Sequence, residues 1–227
     1  MNLPWLLSEL IGTFALTFIG AGSICLNEMT NGGVGLLGIA VAHGLALAVM
    51  ISAVAPISGG KINPAVTLGL LIGGKIDAKT AALEILFQVG GAILAAICLT
   101  LIFPTEVAKV AKLGTPQLGP GISFWVGVFT EAILTFFLVF TVYATAIDPR
   151  GTFKAIAGFG IGLVILFDII AFGGITGAAM NPARAFGPAL ISSTWSDQLV
   201  YWIGPILGGL IAGVLYSNVY LGKSQKV

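Results

Sequence analysis

The sequence predicts an all-α membrane protein in which six helices cross the bilayer and two more reach halfway, arranged as an inverted repeat. Three observations lead there. Of the 227 residues, 57% are hydrophobic and only 8% are charged, whereas a soluble domain needs roughly 25% charged residues to face water. Six apolar stretches each approach the 20 or so residues that a helix needs to cross a hydrocarbon core of about 30 Å. One phrase also occurs twice, SGGKINPAVTLG at Ser58–Gly69 and TGAAMNPARAFG at Thr176–Gly187, each time in a loop too apolar to lie in water.

The spans fall at about 5–26, 34–55, 81–103, 122–146, 155–173 and 199–220. Helix is the form expected of each, because lipid offers no partner to an open backbone. The opening MNLPWLLSELIGTF has no basic residue and runs on too long for a signal peptide, so the first span is expected to stay in the mature protein. Loops 56–80 and 174–198 each carry one Asn-Pro-Ala and a short apolar piece, AVTLGLLIG or ARAFGPALI. At about 1.5 Å per residue such a piece reaches only halfway across. Loop 104–121, PTEVAKVAKLGTPQLGPG, shows no motif and reads as a lid or rim. Small residues at Gly90–Ala96 and Gly204–Gly213 let helices approach closely.

Charge narrows the options further. Ten Lys and Arg against nine Asp and Glu leave no basic field for nucleic acid. Lys61, Lys75, Lys79, Arg150, Lys154, Lys223 and Lys226 fall on one side of the spans, and Lys109, Lys112 and Arg184 on the other. The excess of positive charge on the inner side predicts a multi-pass protein with both termini in the cytoplasm. Cys25 and Cys98 lie in apolar runs without metal-ligand neighbours and read as buried free thiols. No cofactor, metal or nucleophile–base pair is indicated, and an enzyme is not expected.

The repeat extends beyond the motif. Laying Asn63 on Asn181 aligns Ser58-Gly59 with Thr176-Gly177, and Gly44-Leu45 with Gly162-Leu163. Further back, SELIGTFALTF and TEAILTFFLVF each set a glutamate, Glu9 or Glu131, into an apolar helix. The chain is therefore expected to form one domain over 1–227, with one repeat at about 1–103 and a second at about 122–220. An odd number of spans per copy turns the second upside down, and such folds place their site at the midplane.

Asn followed by Pro starts a helix well, since Asn caps it and Pro presets its first turn. In this topology the two half-helices, beginning at Asn63-Pro64-Ala65 and Asn181-Pro182-Ala183, should meet with both N-termini, and both positive dipole ends, at the membrane centre. With each Asn oxygen held by the backbone it caps, the amino groups are expected to turn outward as two donors in an apolar tube. A water there would offer its oxygen to both, so a neutral molecule should pass while protons and cations are held back. The stretches Gly59-Gly60-Lys61 and Gly177-Ala178-Ala179 either supply a ladder of backbone carbonyls or pack helices. Arg184 opposes the dipole of its own half-helix, so it is a filter group or an Arg that snorkels at the rim. Glu9 and Glu131 are expected to brace the irregular loops rather than relay protons. Asp168 either braces the second loop or lies near the lumen.

With two Asn-Pro-Ala boxes in SGGKINPAVT and MNPARAFGP, the chain resembles the aquaporin, or major intrinsic protein, family over essentially its whole length. The resemblance implies a right-handed bundle, one pore per subunit and a homotetramer in the lipid bilayer. It also implies an outer constriction at His43, Ile169, Ala178 and Arg184, a set similar to that of plant tonoplast-type channels, which pass water with ammonia, urea or hydrogen peroxide. Arg184 is followed by Ala185, where glycerol facilitators carry Asp, and Tyr201-Trp202 looks like the water-channel branch. His43, the single histidine, is expected by that mapping to be a donor facing the pore. Lys61 stands where relatives carry His, and it either adds to cation exclusion, narrows the inner mouth or points into the cytoplasm. A polyol facilitator and a coupled secondary transporter are the competing readings.

Overall fold

The computed structural model describes residues 2–151 and 156–221, and every regular element among them is helical. Lys154, Lys223 and Lys226, used above for orientation, lie outside the described residues. Helix α1 is Leu3–Met29; its first turn is closed by Asn2, whose side-chain oxygen accepts from Trp5 N at 3.1 Å. Helix α2, Gly35–Ser58, ends where Gly59 takes φ 87°, a left-handed turn that glycine adopts without strain. The half-helix α3, Pro64–Ile72, is followed by α4, Ala78–Ile102, which Asp77 caps. The connection expected to be a lid or rim contains a short helix, α5, Thr105–Val110. Helix α6 is Phe124–Val142, prolonged by a wide turn at Tyr143–Ile147, and α7 is Ala157–Thr176. The second half-helix α8, Pro182–Ser192, leads to α9, Val200–Leu215, prolonged by another wide turn at Tyr216–Tyr220.

Six of these helices are long and apolar enough to cross a membrane. Their outer faces carry large apolar side chains that a water-facing surface would not tolerate in such density: Leu101 is 81% exposed and Trp125 72%. The polar residues Glu9, Thr13, Thr67, Gln88, Glu131 and Asn181 lie inside.

The packing repeats itself. Helix α1 lies on α4 as α6 lies on α9, and α2 meets α7 across the centre. Half-helix α3 packs on α9 and α8 on α4, so each half-helix docks against the last span of the other repeat. Where α2 crosses α7, a Cβ on Gly162 would come within 2.3 Å of the Gly44 carbonyl, and one on Gly44 within 2.8 Å of the Gly162 carbonyl. In lipid, close van der Waals packing of this kind holds helices together.

A polar latch ties the connection after α6 to the turn that prolongs α9. In the connection after α6, Asp148 accepts from Arg150 Nη2 at 2.6 Å and from Tyr216 Oη at 3.0 Å, and Arg150 Nη2 also donates to the Tyr220 carbonyl at 2.8 Å. The hydrogen bonds from Arg150 hold the Asp148 carboxyl well below the usual carboxylate range.

Two outcomes test this packing. Gly162→Val should lower the thermal midpoint in detergent sharply, since backbone must move, while Gly174→Ala, whose Cβ would meet nothing within 4 Å, should leave it unchanged. The depressed pKa of Asp148 contributes stability that is complete above the ordinary aspartate range and is lost as pH falls through the folded value. Asp148→Asn should therefore be less stable than the parent at neutral pH, and the gap in thermal midpoint should close progressively below about pH 4.

Candidate functional site

The two re-entrant loops meet as the repeat demands. Asn63 Oδ1 accepts from Ala65 N at 2.8 Å, and Asn181 Oδ1 accepts from Ala183 N at 3.1 Å and Arg184 N at 3.2 Å, which starts both half-helices. Each amide then reaches across. Asn63 Nδ2 donates to the Met180 carbonyl at 2.8 Å and Asn181 Nδ2 to the Ile62 carbonyl at 2.9 Å. One hydrogen of each amide, expected to turn outward as a donor, is engaged in tying the two loops together. One N–H per asparagine remains, and both residues line the same narrow cavity. Pro64, Ala65, Pro182 and Ala183 are buried behind them.

Two carboxylates hold these loops from outside the lumen. Glu9 Oε1 accepts from Ser58 Oγ at 2.7 Å and Lys61 N at 3.1 Å; its Oε2 accepts from Ile62 N at 2.7 Å and Gln88 Nε2 at 2.8 Å. Glu131 does the same in the other copy, accepting from Thr176 Oγ1 at 2.7 Å, Ala179 N at 2.9 Å and Met180 N at 2.7 Å. In a trans peptide the N–H and the preceding carbonyl point opposite ways. Turning Lys61 N and Ile62 N to Glu9 therefore turns the carbonyls of Gly60 and Lys61 away from it, and Glu131 does this to those of Ala178 and Ala179. Gly60 N and Ala178 N, donating to Ser58 Oγ and Thr176 Oγ1 at 3.1 and 3.0 Å, turn the Gly59 and Gly177 carbonyls likewise. Ile62 at φ 56°, Ala178 at φ 48° and Met180 at φ 51° sit in the left-handed region. That costs on the order of 1–3 kcal/mol per residue and persists only when surroundings enforce it.

Arg184 is 4% exposed, and its Nη1 donates to the Gly114 carbonyl at 2.8 Å. Its Nη2 donates to His43 Nε2 at 3.0 Å. His43 Nδ1 faces the Ile39 carbonyl at 2.8 Å, which can only accept, so the proton sits on Nδ1 and Nε2 presents its lone pair to the arginine. The expectation of His43 as a free donor to the lumen is thus corrected: both ring nitrogens are engaged, and the histidine orients the guanidinium instead. Gly20 makes room for the ring, because a Cβ there would lie 2.3 Å from it. His43, Ala178 and Arg184 line the narrow cavity together with the two asparagines. Ile169, the fourth member of the set, is buried in the main core and is not among the lining residues.

The cavity leaves about 20 Å³ to the centres of water molecules, the room of roughly one water. Leu16, Leu47, Val66, Leu138 and Ile165 give it an apolar wall. Beside it lies a vestibule of about 600 Å³ bordered by Gly59 and Gly60, and Ile51, Lys61, Val142 and Ile161 border both spaces. Lys61 does not point freely into the cytoplasm. Its Nζ is bound to Glu84 Oε1 at 2.7 Å and to the Ser58 carbonyl. Asp168 is buried on α7, lines neither space, and its Oδ2 has no partner among the described residues.

Sequence reasoning missed Gly114, Gln88 and Glu84, and it read Tyr201 only as a mark of the water-channel branch, not as the residue whose hydroxyl donates to the Thr176 carbonyl at 2.8 Å. Glu84 and Gln88 carried a signal, two polar residues one turn apart in an apolar span, whereas Gly114 acts through its backbone and carried none. Glu131→Gln sets an amino group against backbone donors, and each donor left unmet costs about 1–3 kcal/mol. The variant should therefore lose most of its thermal stability in detergent, and Thr176→Ser, which keeps the hydroxyl, should not.

Comparison with known proteins agrees with this geometry. The family model described as major intrinsic protein matches residues 2–216. Aquaporin TIP4-4 of Zea mays is 45% identical, the match covering 96% of this chain and 86% of the relative. Aquaporin TIP2-3 of Arabidopsis thaliana is 43% identical over 97% of this chain and 89% of its own. Among solved structures, the aquaglyceroporin from Plasmodium falciparum superposes with a TM-score of 0.83 at 28% identity, covering 96% of each chain. A lumen lined by two half-helix caps, a match across nearly the whole length and six spanning helices agree in one assignment: this chain belongs to the major intrinsic protein family of membrane channels.

Proposed function

We infer that the chain is a passive pore through which water and small neutral solutes, with ammonia, urea and hydrogen peroxide among them, move down their gradients while protons and ions are excluded. The observation that carries this reading is the reciprocal pair of bonds that sets Asn63 and Asn181 side by side in one narrow cavity. A water between them accepts from both, and its hydrogens must turn to the carbonyls on either side. The chain of hydrogen bonds then reverses direction at the centre, and a proton cannot be handed through. Two half-helix N-termini and the Arg184 guanidinium place positive potential along the path. A cation would have to shed its hydration shell there, and the wall returns little of it.

His43, Ala178 and Arg184 form the narrow point in this reading, with Ile169 as the apolar layer behind it. Coupled transport would need an ionisable ion site at the midplane, where this chain has Asn, Pro and Ala. The termini and the Lys75–Lys79 side face the cytoplasm, in line with the distribution of basic residues. The family resemblance supports a homotetramer.

Proteoliposomes test the reading directly. Stopped-flow shrinkage should exceed lipid background without proton current, and equal rates with and without protein would overturn it. Gradients of urea, ammonia and glycerol on the same vesicles rank the solutes; glycerol flux matching that of water would favour the polyol reading. Arg184→Val should raise cation or proton leak severalfold while sparing water. Ile169→His should reduce urea flux relative to water, and an unchanged ratio would remove Ile169 from the filter.

A further inference from the structure

Lys61 is a buried cation at a boundary. It is 6% exposed and borders both the narrow cavity and the inner vestibule. Its ammonium donates to the Ser58 carbonyl and to Glu84 Oε1 at 2.7 Å, and lies 4.7 Å from the centroid of the Trp5 ring. Trp5 Nε1 donates to the same carboxylate oxygen at 2.7 Å.

The second repeat shows what this arrangement replaces. A Cβ on Gly91 would meet the Leu10 carbonyl, and one on Gly208 the Ala132 carbonyl; Leu10 and Ala132 directly follow Glu9 and Glu131. That pair of contacts sets the register between α4 and α9. Seven residues before each of these glycines stand Glu84 and Tyr201. The Tyr201 hydroxyl donates to the carbonyl of Thr176, the counterpart of Ser58, and the counterpart of Lys61 is Ala179. In the first repeat a carboxylate stands in the place of the phenol. It has no proton to donate, so the bond to Ser58 comes from Lys61. A cation and an anion together do what one neutral ring does in the other copy.

The two solutions differ in how firmly they hold. A phenol turns about two bonds and carries no charge, whereas lysine has four rotatable bonds and a charge that must always find partners. Both Glu9 oxygens take two donors each, but Glu84 binds through Oε1 alone. Its Oε2 is buried with no partner among the described residues. If the carboxylate lost its charge, the ammonium would be left to the lumen-facing carbonyls of Gly59 and Gly60, residues that border the vestibule.

We propose that Lys61 sets permeation at the inner mouth and that Glu84 is the latch that keeps it stowed. Latched, the ammonium lies against α1 and α4 and the passage is open. Unlatched, it swings to the ladder carbonyls, occupies the junction between vestibule and cavity, and obstructs water. Lys61 is thus a permeation-determining residue of the pore, and Glu84 a positioning residue that acts through it. This rests on the pore reading above.

Water flux per inserted protein in proteoliposomes tests it. Glu84→Gln keeps the shape and removes the charge, and should cut flux severalfold. Lys61→Ala/Glu84→Tyr, which copies the second repeat, should regain much of the loss. So should Lys61→Ala/Glu84→Gln, which leaves no cation to block. Rescue by removing a second side chain separates obstruction from a merely weakened loop, which those changes would not repair. Parent-level flux in Glu84→Gln overturns the proposal, as do double variants that stay as low as the single. If Glu84→Gln fails to insert, Glu84→Asp, which draws the charge back by one methylene, takes its place with the same expected fall and rescues. Absence of flux in the parent overturns the pore reading, whereas parent flux with no effect of the latch variants overturns this inference alone.

Discussion

A backbone that leaves helical form inside a bilayer must still have every N–H and carbonyl satisfied, and water is not there to do it. Glu9 and Glu131 answer that constraint. Each stands fully buried in a spanning helix, Glu9 in α1 and Glu131 in α6, and collects N–H groups of one irregular loop. Everything at the centre follows from this. Donors pulled outward leave carbonyls facing inward, left-handed residues such as Ile62 and Met180 are kept in place, and the chain is delivered to its caps at the membrane midplane. The lumen gains its polar lining from the loops that the acids hold, while Leu16, Leu47, Leu138 and Ile165 supply an apolar part of the wall.

The remaining polar groups divide into fixed and adaptable ones. Arg184 is gripped by a carbonyl and by a histidine whose other nitrogen is itself committed to Ile39. Such a chain of bonds fixes the guanidinium by geometry, with no direct ion pair among the described residues. The cation of the inner mouth is different in kind, since it is neutralised by a partner. The two ends of one passage thus carry positive groups of opposite character, one displayed and one screened.

Much of this was legible in the residues. Six spans, two half-helices, the doubled Asn-Pro-Ala, the bracing acids and the inversion follow from hydropathy, capping preference and an odd number of crossings. Those are local properties, or properties of periodicity. What was not legible required knowing which backbone atom lies where. The Gly114 carbonyl that holds Arg184 belongs to a stretch with no motif, and any residue type offers the same carbonyl. The asparagines were read as caps with free amino groups, since a cap is a local device, whereas the bonds to Met180 and Ile62 join residues more than a hundred positions apart. His43 was read as a donor because its position said so; only the partners of both ring nitrogens reveal that it accepts from the arginine.

The exchange of half-helices between repeats bears on how such a chain is made. Helix α3 rests on α9, which is synthesised long after it, and α8 rests on α4, which precedes it by much of the chain. The first loop therefore enters the membrane with its tether to Glu9 available and its docking surface not yet synthesised. Assembly cannot be completed one half at a time, and the passage comes into being only when α9 closes on a loop that has been waiting since early in translation.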